Sequence, residues 1–124
     1  MTIKRLDHVN LRTTRLDEMV AWYVDILGLA NGPRPNFPFA GAWLYAGEHA
    51  VVHLISVDNE ACGSETELKL EHFAFSAEDA EAFEARLTSR GETFQRSEIT
   101  ALKLAQYNVF DPDGNHIHVD FQIG

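Results

Sequence analysis

Four histidines stand at matching places in the two halves of this chain. His8 and His72 lie 64 residues apart, and His53 and His118 lie 65 apart. Each is flanked by branched or aromatic residues, in the alternation that is typical of a half-buried strand. Neutral imidazole is the commonest metal ligand in proteins, so the repeated positions predict a divalent metal site on strands related by internal pseudo-symmetry.

The elements that must position these histidines follow the same order in both halves. In the first half, the hydrophobic pattern predicts a strand, a helix after the Thr13-Thr14 pair, a proline-rich loop and two further strands. These elements span residues 3–11, 16–27, 31–38, 42–46 and 50–57. In the second half, the corresponding strand, helix and three strands span residues 68–75, 80–90, 92–96, 107–110 and 115–123. Ser76–Asp79 resembles a helix capping box, and Asp111–Gly114 has the Pro and Gly placement of a reverse turn.

The length of the chain limits how many domains it can form. A half of about 60 residues would be marginally stable alone, so we expect one domain made of two repeats. The predicted boundaries are about 3–57 for repeat 1, 58–67 for the linker and 68–123 for repeat 2.

Charge and cysteine content exclude several classes of protein. The 124 residues carry a net charge of −9, with 19 acidic against 10 basic residues, which argues against nucleic-acid partners and anionic membrane surfaces. Cys62 is the only cysteine, so no intrachain disulfide can form and a reducing compartment is expected. No signal-peptide pattern and no apolar run of about 18 residues is present, so a soluble, cytoplasmic protein is expected.

The doubled βαβββ order resembles that of the vicinal-oxygen-chelate superfamily, which includes glyoxalase I, extradiol dioxygenases, and fosfomycin- and bleomycin-resistance proteins. The resemblance covers essentially the whole chain. It is carried by Leu6-Asp7-His8-Val9, Trp22-Tyr23 before Leu27-Gly28-Leu29, Glu71-His72-Phe73-Ala74-Phe75, and Asp111-Pro112-Asp113-Gly114. The fold implied is α+β, with two βαβββ modules forming a mixed, cupped eight-stranded sheet, as a single vicinal-oxygen-chelate domain over residues 1–124.

The resemblance also implies a ligand set. Each half of a family member supplies one metal ligand from its first strand and one from its last, and those positions here are His8, His53, His72 and His118. The commonest family pattern has a carboxylate at one or both last-strand positions, whereas this chain has imidazole at both. One divalent ion per site is therefore expected, with Zn, Ni, Fe and Mn all open. His118 and Asp120 are the candidate catalytic groups for proton transfer, and Asp120 is also an alternate ligand or a partner of a ligand.

Strand alternation indicates what surrounds the ion. It places His116, His118 and Asp120 on one face of the last strand, which suits a concave, partly wet cavity around a cation. His116 and His49, each next to a turn, are expected to be exposed. The candidate substrate contacts suit a small, partly apolar or aromatic molecule, and they are Asn10, Phe39, Trp43, Tyr45 and Tyr107.

Three functions are left open by the sequence. The first is a metal-dependent enzyme of the glyoxalase type, a lyase or isomerase whose metal stabilises an enolate or oxyanion. The second is an extradiol-type dioxygenase with Fe(II) or Mn(II), and the third is a non-catalytic, drug-sequestering binding protein. The all-histidine set argues against the third, because sequestration needs no metal site. The resemblance and the open sheet edges also predict a homodimer.

Overall fold

The computed structural model describes residues 1–59 and 69–123, which form parts of two compact units, Met1–Gly63 and Ser64–Gly124. Each unit is one βαβββ module, so the predicted fold class and doubled module are confirmed. Hydrogen bonding groups the eight strands into two mixed sheets of four. Most of the predicted linker, with Cys62, lies outside the described residues, and the single-domain boundaries stay a prediction.

The first unit is a four-stranded sheet with one helix against it. Its elements are β1 (Val9–Thr13), α1 (Leu16–Asp25), β2 (Ala30–Gly32), β3 (Gly41–Ala46) and β4 (His49–Ser56). The strand order is β1-β4-β3-β2, in which β1 and β4 are parallel and the other pairs are antiparallel. The buried face of α1 carries Met19, Trp22 and Tyr23, whereas Val24 is 40% exposed.

Three local predictions in this unit need correction. The first strand, predicted over residues 3–11, is β1 at Val9–Thr13, because its pairing with β4 begins at Val9. Part of the segment predicted as a loop is strand β2, in which Asn31 pairs with Leu44, because the residues before Pro33 keep backbone N–H groups for the ladder. The hydroxyl of Thr13 accepts from the backbone N–H of Arg15 at 3.0 Å, which forms a turn before α1 without capping the helix. The hairpin of β3 and β4 closes over the predicted turn at Gly47, and a β-bulge interrupts its register between Leu44 and Tyr45.

The second unit repeats this architecture. Its elements are β5 (Phe73–Ala77), α2 (Ala80–Ser89), β6 (Gln95–Ile99), a 3₁₀ turn (Thr100–Leu102), β7 (Leu104–Phe110) and β8 (His116–Gln122). The strand order is β5-β8-β7-β6, with β5 and β8 parallel. Asp79 caps α2 by accepting from the backbone N–H of Ala82 at 3.1 Å, and the helix buries Phe83 and Leu87 as predicted. Strand β6 starts three residues later than predicted.

The alternation of β8 decides which side chains reach the open face of the sheet. Ile117, Val119 and Phe121 are buried on the helix side, and His116 and His118 lie on the opposite face. The predicted turn before β8 is confirmed, because the backbone N–H of Gly114 donates to the Asp111 carbonyl at 2.8 Å. The buried Asp111 carboxylate accepts three further hydrogen bonds from the turn, which fixes where β8 begins.

Within the described residues, neither helix has the length and apolarity that crossing a membrane requires.

Candidate functional site

The first unit brings two of the predicted ligands together. His8 lies just before β1 and His53 lies in β4, and their rings stack with centroids 3.8 Å apart and planes 9° apart. Nδ1 of His8 donates to the Asp7 carboxylate at 2.8 Å, and Nε2 of His53 donates to the Ala50 carbonyl at 3.2 Å. Because these oxygens only accept, His8 keeps a free Nε2 and neutral His53 keeps a free Nδ1.

Burial favours the ligand form of His53. The side chain is nearly buried, and desolvation lowers its pKa below the ordinary value, with the charge of His8 lowering it further. The Ala50 carbonyl and Asp7 oppose this shift only partly. A lowered pKa keeps the imidazole neutral at neutral pH, and neutral imidazole is the form that binds metal.

The second unit brings three histidines together. His72, just before β5, stacks on His118 of β8 with centroids 3.8 Å apart and planes 15° apart. The ring of His116 stands edge-on to both, with its centroid 5.5 Å from that of His72 and 4.7 Å from that of His118. One nitrogen from each of the three lies within 4.8 Å of the others, so the three side chains could converge on one metal ion.

Glu71 orients two of these rings. Its Oε1 accepts from Nδ1 of His72 at 2.8 Å, and its Oε2 accepts from Nδ1 of His116 at 2.6 Å. These hydrogen bonds, the one to His116 first, hold the pKa of the Glu71 carboxyl below its usual range. For His72, a carboxylate on Nδ1 leaves Nε2 to face a metal, which is the usual arrangement around metal-binding histidines. Nε2 of His116 donates to the side-chain oxygen of Asn108 at 2.8 Å, so this ring must give up the contact with Asn108 before Nε2 can bind a metal.

His118 is held by ring contacts alone, because no hydrogen bond to its ring occurs among the described residues. Desolvation lowers its pKa, the charges of His72 and His116 lower it further, and Asp120 and Glu71 oppose the shift. Both of its nitrogens are thus available, and the neutral ligand form is favoured.

Asp120, the other candidate proton-transfer group, lies two residues after His118 on the same strand. Among the side chains that the structure describes, its Oδ1 is buried without a hydrogen-bond partner. A carboxylate oxygen in that position has lone pairs free to accept a proton or to approach a cation.

A small cavity of about 130 Å³ adjoins His53 in the first unit. It brings together three of the predicted substrate contacts, Asn10, Phe39 and Trp43. The Trp43 ring stacks on His53 with centroids 4.1 Å apart, so the aromatic wall is continuous with the histidine pair. The hydroxyl of Tyr45 donates to the Pro33 carbonyl at 2.6 Å, and this side chain is not part of the cavity lining.

Tyr107 lies away from the histidines of its unit. It is 2% exposed and pairs with Val119 on the helix side of the sheet, where its ring contacts Phe83 and Phe121. Its hydroxyl donates to Glu84 at 3.1 Å. Since β7 alternates like β8, Tyr107 shares the buried face with Val109, and Asn108 is the residue opposite His118.

Sequence reasoning did not assign His116 or Arg34 to the site, because a solvated side chain is the ordinary state of both. His116 was expected to be exposed, yet only 20% of its side chain is accessible, because Glu71 and Asn108 draw it against the sheet. Its position two residues before His118 is the signal that identifies it. Arg34 enters the cavity from a proline-rich segment whose conformation has no simple periodicity. The prediction that His8, His53, His72 and His118 hold one ion stays a prediction.

Comparisons with known proteins agree with this architecture. The family model described as the Glyoxalase/Bleomycin resistance protein/Dioxygenase superfamily matches residues 5–119. A glyoxylase/bleomycin resistance protein/dioxygenase domain from Frankia sp. EAN1pec is 22% identical with a TM-score of 0.80, over 98% of this chain and 93% of that one. Lactoylglutathione lyase from Agrobacterium tumefaciens is 17% identical with a TM-score of 0.72, over 98% and 96%. A fosfomycin resistance protein from Listeria monocytogenes is 14% identical with a TM-score of 0.73, over 97% and 94%. A search of curated proteins found no match.

Proposed function

Since the chain belongs to the glyoxalase/bleomycin resistance protein/dioxygenase superfamily, we propose that it is a divalent-metal-dependent enzyme of the glyoxalase type. It would act on a small molecule as a lyase or isomerase.

The observation that carries this proposal is the cluster of His72, His116 and His118, whose nitrogens lie within 4.8 Å of one another. A divalent ion of the zinc, nickel, iron or manganese class suits an imidazole donor set. Glu71 fixes two of the rings with Nδ1 protonated, and burial keeps His118 neutral. These residues therefore fit a bound cation, which would supply Lewis-acid stabilisation of negative charge developing on a substrate oxygen.

Proton transfer is assigned to Asp120. Its Oδ1 has no hydrogen bond to other described residues, and Asp120 lines a cavity together with Ser76 and Leu104. The carboxylate would accept a proton from a substrate carbon in that cavity and return it elsewhere. Asp120 follows the His118 position on one strand face, which places a base beside the proposed ligands. His118 is the alternative proton carrier only if it does not ligate.

The His8–His53 pair extends the proposed ligand set by the repeat relationship seen in the sequence. In each unit a residue before the first strand stacks on one from the last strand with centroids 3.8 Å apart. The same construction in both units supports a metal-binding role for both pairs.

The test begins with elemental analysis of protein purified without chelator. Solvent-deuterium exchange into 2-oxo compounds that carry an adjacent oxygen is then followed by NMR. We expect a bound divalent ion, and exchange that stops on chelation and in Asp120→Asn. His49→Ala is the matched control, because His49 is an exposed histidine bonded only to Arg5 among the described residues.

Three outcomes would replace the proposal. Protein that retains no metal, with ligand binding intact, favours a sequestering protein. Bound iron with oxygen consumption on catechols favours a dioxygenase. Exchange that persists after chelation removes the metal from the reaction.

A further inference from the structure

Arg34 is an arginine fixed in place without a carboxylate partner among the described residues. Its guanidinium carbon lies 5.0 Å from the ring centroid of Phe37 and 5.1 Å from that of Phe39. Nη2 donates to the Phe39 carbonyl at 2.9 Å. A guanidinium has five N–H donors, so most of them remain for a ligand. In a chain with 19 acidic and 10 basic residues, this guanidinium is held by two aromatic rings and a carbonyl and not by a carboxylate of the described residues.

The cavity in front of Arg34 has the size and walls for one flat ring. Its volume of about 130 Å³ is close to that of an engineered apolar cavity, about 150 Å³, that binds benzene. Phe37 and Phe39 stack at 5.1 Å with planes 5° apart, and Trp43 continues the aromatic wall towards His53. Aromatic faces of this kind prefer an offset-stacked planar partner.

The polar groups that line the cavity differ in charge. His53, whose Nδ1 is free, and the exposed amide of Asn10 in β1 are neutral. The guanidinium of Arg34 is cationic, and its planar fork matches a carboxylate in two parallel hydrogen bonds. An occupant that suits this lining is flat and carries an anion.

We propose that this cavity binds a planar, monocyclic aromatic carboxylate, with its carboxylate on Arg34 and its ring against Trp43. This inference goes beyond the proposed function, because it concerns the occupant of this cavity and not the histidine cluster of the second unit.

The test measures binding of benzoate, benzamide and cyclohexanecarboxylate to the full chain by calorimetry, with and without chelator. We expect benzoate to bind about tenfold or more tightly than benzamide, because a charge-assisted fork replaces a neutral hydrogen bond. Cyclohexanecarboxylate should bind several-fold more weakly than benzoate, since it cannot stack. Arg34→Gln should remove the preference for benzoate over benzamide, and the exposed Arg12→Gln on β1 is the matched control that should leave it unchanged.

The proposal is overturned if the wild type binds benzoate and benzamide alike, or if Arg34→Gln binds benzoate as the wild type does. Equal binding of the cyclohexane analogue overturns the aromatic class. If Arg34→Gln fails to fold, Arg34→Lys keeps the charge without the fork, and unchanged benzoate affinity there also overturns the proposal. Metal retention is measured on the same samples. If the protein retains metal but does not prefer benzoate to benzamide, this inference alone is refuted. If it prefers benzoate but retains no metal, the proposed function alone is refuted.

Discussion

Replacement of Glu71 by glutamine tests how the histidine cluster is held. The carboxylate accepts from Nδ1 of His72 at 2.8 Å and from Nδ1 of His116 at 2.6 Å, one oxygen for each ring. Glutamine keeps one accepting oxygen and turns the other position into an N–H donor. The ring facing that donor must accept through Nδ1, which places its proton on Nε2 and blocks that nitrogen as a ligand.

Loss of one oriented ring should weaken metal binding by about 10- to 100-fold, the range typical for removal of a hydrogen-bonding partner of a ligand. The assay is competition for Zn²⁺ or Ni²⁺ with a chromophoric chelator at pH 7.5. Nitrogen chemical shifts of the two rings report the change of tautomer independently of affinity.

Glu81→Gln is the matched control, because Glu81 is an exposed carboxylate on α2, on the face of the sheet opposite to the histidines. It removes the same charge and should leave metal affinity within about twofold, since an exposed charge on the other face of the sheet is screened. Affinity of Glu71→Gln within twofold of the wild type, with unchanged ring tautomers, would refute the role given to Glu71.

Four further outcomes are expected. Metal affinity should fall steeply as the pH drops from about 6.5 to 5, because histidine must be neutral to bind a metal. Chelator competition at pH 7.0 and 5.5 should show that His118→Glu flattens this pH dependence. If the wild type and the variant lose the same affinity on acidification, His118 is excluded as a ligand. The metal-free protein should lose thermal stability over the same fall in pH. The pKa of His53 is lowered in the folded protein, so His53 takes up a proton at a higher pH in the unfolded chain than in the folded one. Thermal melts of His53→Gln should therefore show a smaller loss of stability. Tyr107→Phe should lower the free energy of unfolding by about 1 kcal/mol in urea titrations, through loss of the hydrogen bond to Glu84, with metal affinity unchanged. Light scattering should give a homodimer, and a mass near 13.9 kDa at micromolar concentration would contradict it.

Much of the site could be predicted because successive side chains of a β-strand point to opposite faces of the sheet. The period of two placed His118 and Asp120 on one face of β8 and Val119 on the other, as the structure has them. The same rule applied to β7 would have assigned Tyr107 to the core, since it shares a face with Val109. The prediction began that strand at Tyr107, so the alternation before it was not used.

What could not be predicted depends on contacts between residues distant in sequence. The bond from Glu71 to His116 joins residues 45 positions apart and follows from the pairing of β5 with β8. The place of Arg34 depends on a loop whose shape is set by Phe37 and Phe39 packing against its guanidinium. Neither contact belongs to a periodic sequence pattern, so hydrophobic periodicity could not predict the Glu71–His116 bond or the placement of Arg34.

The hairpin of β3 and β4 and the hairpin of β7 and β8 are closed in different ways, yet their tips are interchangeable in length. Trp43 pairs with His53 across a hairpin that has a two-residue turn and a β-bulge, and Asn108 pairs with His118 across one that has a longer turn and an unbroken ladder. The number of residues between the paired positions is the same in both hairpins. The tip of either hairpin can therefore be transplanted onto the other without shifting the register of the histidine, which makes these tips the natural places to graft loops when the specificity of this scaffold is redesigned.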